Sequence, residues 1–130
     1  MGSDPLDKRE VVSFRKTIAA GTSDTLVERV KAAGTIEEIR VKFYLGQTGD
    51  LRVRPFVEHK GRKIEDVITY PSTANPYLSG EDDYFVFPIS ISVGYDDYIK
   101  VWVQNVDAVN SYTLVVDYVI DYLGGKNRVV

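Results

Sequence analysis

Phe85, Phe87, Ile89, Ile91 and Val93 fill every second position of one run, with Val86, Pro88, Ser90 and Ser92 between them. A period of two is the mark of a strand with one buried face. Pro88 lacks an N–H, so this strand is expected at a sheet edge or at a bulge. The same alternation recurs along the chain. Val11 to Ile18 reads as a first strand and is closed by Ala19-Ala20-Gly21-Thr22. Thr25 to Val30 reads as a second, although Val27 to Gly34 also fits a short helix ended by glycine. Strand is preferred there because both flanking segments alternate with period two.

Ile39, Val41, Phe43 and Leu45 form an apolar face, with Arg40, Lys42 and Tyr44 opposite. Gly46-Gln47-Thr48-Gly49-Asp50 turns the chain, and Leu51 and Val53 resume the apolar face. Read as a hairpin, this loop pairs Leu45 with Leu51 and Phe43 with Val53, and sets Lys42 against Arg54. Lys63 to Tyr70 is a further strand, and Pro71 to Gly80 a loop rich in turn residues. Ile99, Val101 and Val103 alternate with Tyr98, Lys100, Trp102 and Gln104, and Asp107-Ala108-Val109-Asn110 reads as a four-residue turn. The last strand, Ser111 to Leu123, aligns Tyr112, Leu114, Val116, Tyr118 and Ile120 on one face. Read as a hairpin, the final pair sets Val103 against Leu114, Val101 against Val116 and Lys100 against Asp117. Seven to nine strands without a firm helix predict an all-β antiparallel sandwich, jelly-roll-like first and immunoglobulin-like second.

The 130 residues suit one domain with a self-sufficient core. The expected organisation is a polar amino-terminal arm over 1–10, the sandwich over 11–123 and a tail over 124–130. The arm is polar, so no secretory signal is read there, and no apolar run is long enough for a membrane helix. A cytoplasmic location is one expectation from these features. The absence of Cys removes disulfides and thiolate chemistry. A net charge of −3 calls for no strongly charged partner.

Catalytic patterns are missing: there is no nucleophile elbow, P-loop or dinucleotide-binding glycine run. His59, the single histidine, lies in the basic stretch His59-Lys60-Gly61-Arg62-Lys63 and reads as a solvated turn residue. A non-enzyme without cofactor is therefore expected. Asp82, Asp83, Asp96 and Asp97 sit at turns, where Asp is favoured in any case. Calcium held by clustered loop carboxylates is a minority reading for them.

Binding offers more. Arg40, Lys42, Arg52 and Arg54 would share the outer face of one hairpin with Tyr44 among them, and like charges facing across strands need an anion. An acidic neighbour in the chain itself supplies it in one reading, and a partner in the other. Nucleic acid is not the expected partner, since Tyr44 is the lone aromatic of that stripe and the isoelectric point is about 5.1. Trp102 with Tyr98 on the outer face is either a contact anchor or covered by other structure.

Several segments together carry a family likeness. They are Thr17-Ile18-Ala19-Ala20-Gly21-Thr22, Ile39-Arg40-Val41-Lys42-Phe43-Tyr44, Leu51-Arg52-Val53-Arg54-Pro55, Tyr84-Phe85-Val86-Phe87 and Tyr98-Ile99-Lys100-Val101-Trp102-Val103. In this pattern the chain resembles the small β-sandwich accessory virion proteins of phages. The resemblance implies a structural subunit without catalytic residues that binds copies of itself or a larger protein shell. The basic stripe and the outward aromatics supply the expected interface residues: Arg40, Lys42, Tyr44, Arg52, Arg54, Tyr98 and Trp102. A carbohydrate-binding module that uses exposed aromatics and acidic loops is the alternative.

Overall fold

The computed structural model describes residues 9–60, 63–70, 74 and 76–122. Among these described residues there are eight strands: β1 (Arg9–Ile18), β2 (Ser23–Arg29), β3 (Gly34–Phe43), β4 (Leu51–His59), β5 (Lys63–Asp66), β6 (Asp83–Val93), β7 (Tyr98–Asn105) and β8 (Tyr112–Tyr122). They form two four-stranded antiparallel sheets, ordered β1-β8-β3-β6 and β2-β7-β4-β5. First pairs with last, second with second-to-last, and so inward to β4 with β5. This is a long ribbon rolled into a jelly roll, in which every connection except β4–β5 crosses between sheets.

Alternation explains the core. Ile36, Ile39, Val41, Phe43, Val53, Val57, Ile99, Val101, Val103, Leu114 and Val116 are wholly buried between the sheets. Ile36 and Ile39 are three apart yet face the same way, because a bulge at Glu37–Glu38 shifts the register of β3 against both β6 and β8. Pro88 lies opposite that bulge on β6, which is an edge strand paired with β3 alone. Tyr118 crosses the core: its hydroxyl donates to the Lys100 carbonyl at 2.7 Å and the Phe56 carbonyl at 3.3 Å, tying one sheet to the other.

Both expected hairpins are overturned by the crossovers. β7 and β8 lie in different sheets, so Val101, Val103, Leu114 and Val116 meet through the core and are not ladder partners. Lys100 lies between Val27 and Phe56, and Asp117 between Ser13 and Arg40. Likewise β3 and β4 belong to different sheets, so Lys42 and Arg54 never face each other. Leu45 is exposed, and the loop instead buries Gln47, whose Oε1 accepts from Tyr44 N and whose Nε2 donates to the Thr113 carbonyl. Of the segment Thr25–Val30, Thr25 to Arg29 belongs to β2 and Val30 follows the strand as a buried residue; no helix forms there. Of the expected arm, Arg9 and Glu10 already belong to β1; residues 1–8 and the tail with Leu123 lie outside the described residues. Among the described residues, no helix is long and apolar enough to cross a membrane.

Candidate functional site

The outer face of the β2-β7-β4-β5 sheet collects four of the expected interface residues. On β7 the burial of Val101 and Val103 turns Tyr98, Lys100, Trp102 and Gln104 outward. On β4 the burial of Leu51, Val53, Pro55 and Val57 turns out Arg52, Arg54, Phe56 and Glu58. The ladder then sets Arg52 beside Gln104, Arg54 beside Trp102, Phe56 beside Lys100 and Glu58 beside Tyr98. Thr25 and Val27 of β2 continue the rows of Trp102 and Lys100.

β5 is only four residues long and covers the end of β4 from Phe56 onward. The earlier half of that edge is taken by the segment preceding β6. Val53 and Leu78 exchange two backbone hydrogen bonds, at 2.7 and 2.9 Å. This bridge holds Tyr77 against the sheet, with the Arg52 guanidinium 4.8 Å from the centre of its ring. Arg54, Ala74, Pro76, Tyr77 and the half-buried Trp102 line an open cleft of about 300 Å³, at the lower end of the range for small-ligand sites.

Charge on this face is mostly paired. Arg54 donates twice to the Asp66 carboxylate, at 2.8 and 3.0 Å, in the fork geometry that suits guanidinium to carboxylate. Lys100 contacts Glu58, and Arg29 lies 3.3 Å from Asp96. Arg52 differs: it donates to the Gln104 amide oxygen at 3.4 Å and stacks on Tyr77, and no carboxylate among the described residues pairs with it. A cation stacked on a ring is pre-oriented and still able to accept an anion.

Arg40, Lys42 and Tyr44 are elsewhere. Arg40 and Lys42 lie on the outer face of the other sheet, and Tyr44 just past the end of β3. Arg40 is paired with Glu38, and the Lys42 ammonium lies 5.4 Å from the centre of the Tyr44 ring. The expected basic stripe is thus two groups on opposite sides of the molecule. The four aspartates are also divided. Asp82 and Asp83 stand at the start of β6, Asp96 and Asp97 beyond its end, and eleven extended residues separate the pairs by roughly 35 Å. Asp97 is engaged by His59, Lys60 N and Gly94 N, and Asp83 by Glu81 N. No cluster of three or more metal-ligating side chains occurs among the described residues. His59 is no solvated turn residue, since both ring nitrogens meet carboxylates.

Tyr77, Phe56, Asp66 and Gln104 were missed as members of the site. Phe56 and Gln104 follow from the parity of β4 and β7. Tyr77 arrives through a loop, for which alternation carries no signal.

No protein-family model matches the chain, and no curated protein matches it. Solved structures of similar fold exist. A carbohydrate-binding module, CBM32-1 from a family 31 glycoside hydrolase of Clostridium perfringens, aligns at 13% identity with a TM-score of 0.48, covering 85% of this chain and 75% of that chain. The infectious bursal disease virus Gx strain structure aligns at 14% identity with a TM-score of 0.43, over 92% of this chain and 34% of that one. A serine protease of Aeromonas sobria aligns at 10% identity with a TM-score of 0.40, over 92% of this chain and 28% of that one. The chain spans about a third or less of the virus and protease chains.

Proposed function

We propose that this protein is a non-catalytic assembly subunit, of the kind that accessory virion proteins represent, and that it contacts other protein subunits through the outer face of the β2-β7-β4-β5 sheet. The observation that carries this reading is the convergence of Arg52, Arg54, Tyr98 and Trp102 on one face, beside a cleft and with no carboxylate among the described residues paired to Arg52. Trp, Tyr and Arg are the residue types that dominate binding energy at protein interfaces. Arg52, stacked on Tyr77 and without a carboxylate partner among the described residues, selects the occupant: an acidic side chain of a neighbouring subunit, with the aromatic walls receiving the apolar part of the same segment.

Light scattering of the purified protein at high micromolar concentration tests the reading. The expected result is an oligomer for the wild type and a monomer for the double variant Arg52→Glu, Trp102→Ala, with unchanged circular dichroism. These two positions are surface-directed, so the fold is expected to survive.

One observation favours a second reading. Trp102, Tyr77 and Pro76 wall a cleft with the Arg54–Asp66 pair beside it, and an aromatic wall next to hydrogen-bonding groups also suits a sugar ring. A wild-type monomer that binds a soluble glycan, and loses it on Trp102→Ala, would replace the assembly reading with carbohydrate binding.

A further inference from the structure

His59 stands at the end of β4, and two other elements reach its ring. Its Nδ1 lies 3.1 Å from Asp97 Oδ2 in the β6–β7 loop, and its Nε2 lies 2.8 Å from Glu65 Oε1 on β5. A neutral imidazole carries one N–H. It can donate to one carboxylate and must set a lone pair against the other, whereas the imidazolium donates to both. The arrangement is therefore complete only in the protonated state.

The two carboxylates are not held alike. Asp97 is nearly buried and keeps two backbone donors of its own, Gly94 N at 2.8 Å and Lys60 N at 3.0 Å. Its carbonyl also accepts from Val30 N at 2.8 Å, so the β2–β3, β4–β5 and β6–β7 connections meet at this residue. Glu65 is more exposed, and among the described residues its side chain bonds to His59 alone. When the ring loses a proton, the N–H that remains is best kept toward Asp97, and Glu65 is the partner given up.

We propose that His59 is a proton-operated latch: as imidazolium it ties β5 to the β6–β7 loop, and on losing its proton it releases Glu65 and loosens β5 from the edge of β4. β5 is the element able to respond, because it is four residues long and pairs with β4 alone. The latch stands on the His59 geometry and holds whether or not the outer face of this sheet is a docking surface.

The surrounding charges decide the working range. Lys60 follows His59 in the chain and Lys63 lies opposite it in the ladder, and both disfavour a further positive charge. Asp96 is engaged by Arg29 of β2, and Glu58 by Lys100 of β7. Burial pulls His59 down, but the hydrogen bonds and charges of Glu65 and Asp97 outweigh it and raise the ring above its ordinary 6.5. Burial also works against the Asp97 carboxylate, yet Gly94 N, His59 and Lys60 N hold it below its ordinary 3.8. A raised histidine gives stabilisation that is full below the unfolded value and lost as pH rises through the folded one. The latch is thus closed in mild acid and opens on the alkaline side of 6.5.

With one histidine in the chain, a single imidazole resonance reports the proton directly. The test is an NMR titration of that resonance, with amide hydrogen exchange of Lys63–Asp66 followed across the same pH range and corrected for intrinsic exchange. The ring is expected to titrate above 6.5, and β5 protection to fall in step with it, by about tenfold for each unit of elevation. Protection of the central strand β8, which exchanges through global unfolding, should stay well above that of β5 throughout. In Glu65→Gln the ring should titrate lower and β5 protection should become independent of pH. A wild-type ring that titrates at or below 6.5, or β5 protection that stays flat through its titration, overturns the proposal.

Discussion

The Tyr118 hydroxyl carries the β1-β8-β3-β6 sheet onto the backbone of the other through the middle of the core. Burial raises its pKa well above 10.0, so it stays a hydrogen-bond donor at any working pH. Its ring also packs edge-on against Phe14, with centroids 5.8 Å apart. Hydroxyl and ring can be separated by substitution. Tyr118→Phe should cost about 1–2 kcal/mol, the loss of hydrogen bonds to carbonyls already shielded from water. Tyr118→Ala should cost about 3–5 kcal/mol, since it also opens a cavity. Urea denaturation of the two variants checks the ratio. Asn105 plays a related part at the end of β7, where its amide donates to the carbonyls of Ile18 and Asn110 and joins strand ends of both sheets. Neither role could be read from sequence: Tyr118 counts there as one more apolar-face position, and Asn105 as an ordinary strand end.

Among the elements, β3 is the most constrained, being flanked by β6 and β8 and interrupted by the Glu37–Glu38 bulge. Gly34 opens it, and a Cβ there would lie 2.8 Å from the Asp121 carbonyl oxygen and 3.1 Å from Tyr122 Cα. Those atoms are backbone of the paired strand and cannot step aside singly. Gly34→Ala should therefore spread the start of β3 from the end of β8 and cost about 1–3 kcal/mol, as overpacking does. Thermal unfolding measures the loss, and amide exchange should place it at Gly34–Ile36. At this scale the positions of the strands were legible, because period-two alternation marks Val11–Ile18, Phe85–Val93 and Tyr112–Ile120 directly. The bulge was not, since the two successive glutamates Glu37 and Glu38 break the alternation between Ile36 and Ile39 without showing that the strand continues through them.

For the whole molecule, pH acts at both ends of the range. Glu10, Asp24, Asp97 and Asp107 all lie below their ordinary values in the folded state. Lowered carboxylates stabilise above their unfolded values and lose that contribution as pH falls through the folded ones. Unfolding temperature should accordingly drop below about pH 4, where carboxylates titrate. His59 works in the opposite sense. The wild type should exceed His59→Gln in stability in mild acid, and the gap should close as pH rises through the raised value of the ring. Paired thermal scans across pH measure the gap; one that widened toward alkaline pH would contradict the sign.

What the amino-acid sequence determined by itself is which side chains face inward. Val101, Val103, Leu114, Val116, Phe43 and Val53 are all buried, as their alternation requires. Partners were another matter. A strand shows the same alternation whether the next turn folds it back as a hairpin or carries it across to a second sheet, because both place alternate side chains in one core. That ambiguity misplaced Lys42 against Arg54 and Lys100 against Asp117. It also hid the division of the expected interface, with Arg40 and Lys42 on one outer face and Arg52, Arg54, Tyr98 and Trp102 on the other. Tyr77 beside Arg52, and Asp97 beside His59, come from segments distant in the chain. Only closure of the rolled ribbon brings them within hydrogen-bonding or stacking distance, so only the tertiary structure could decide them.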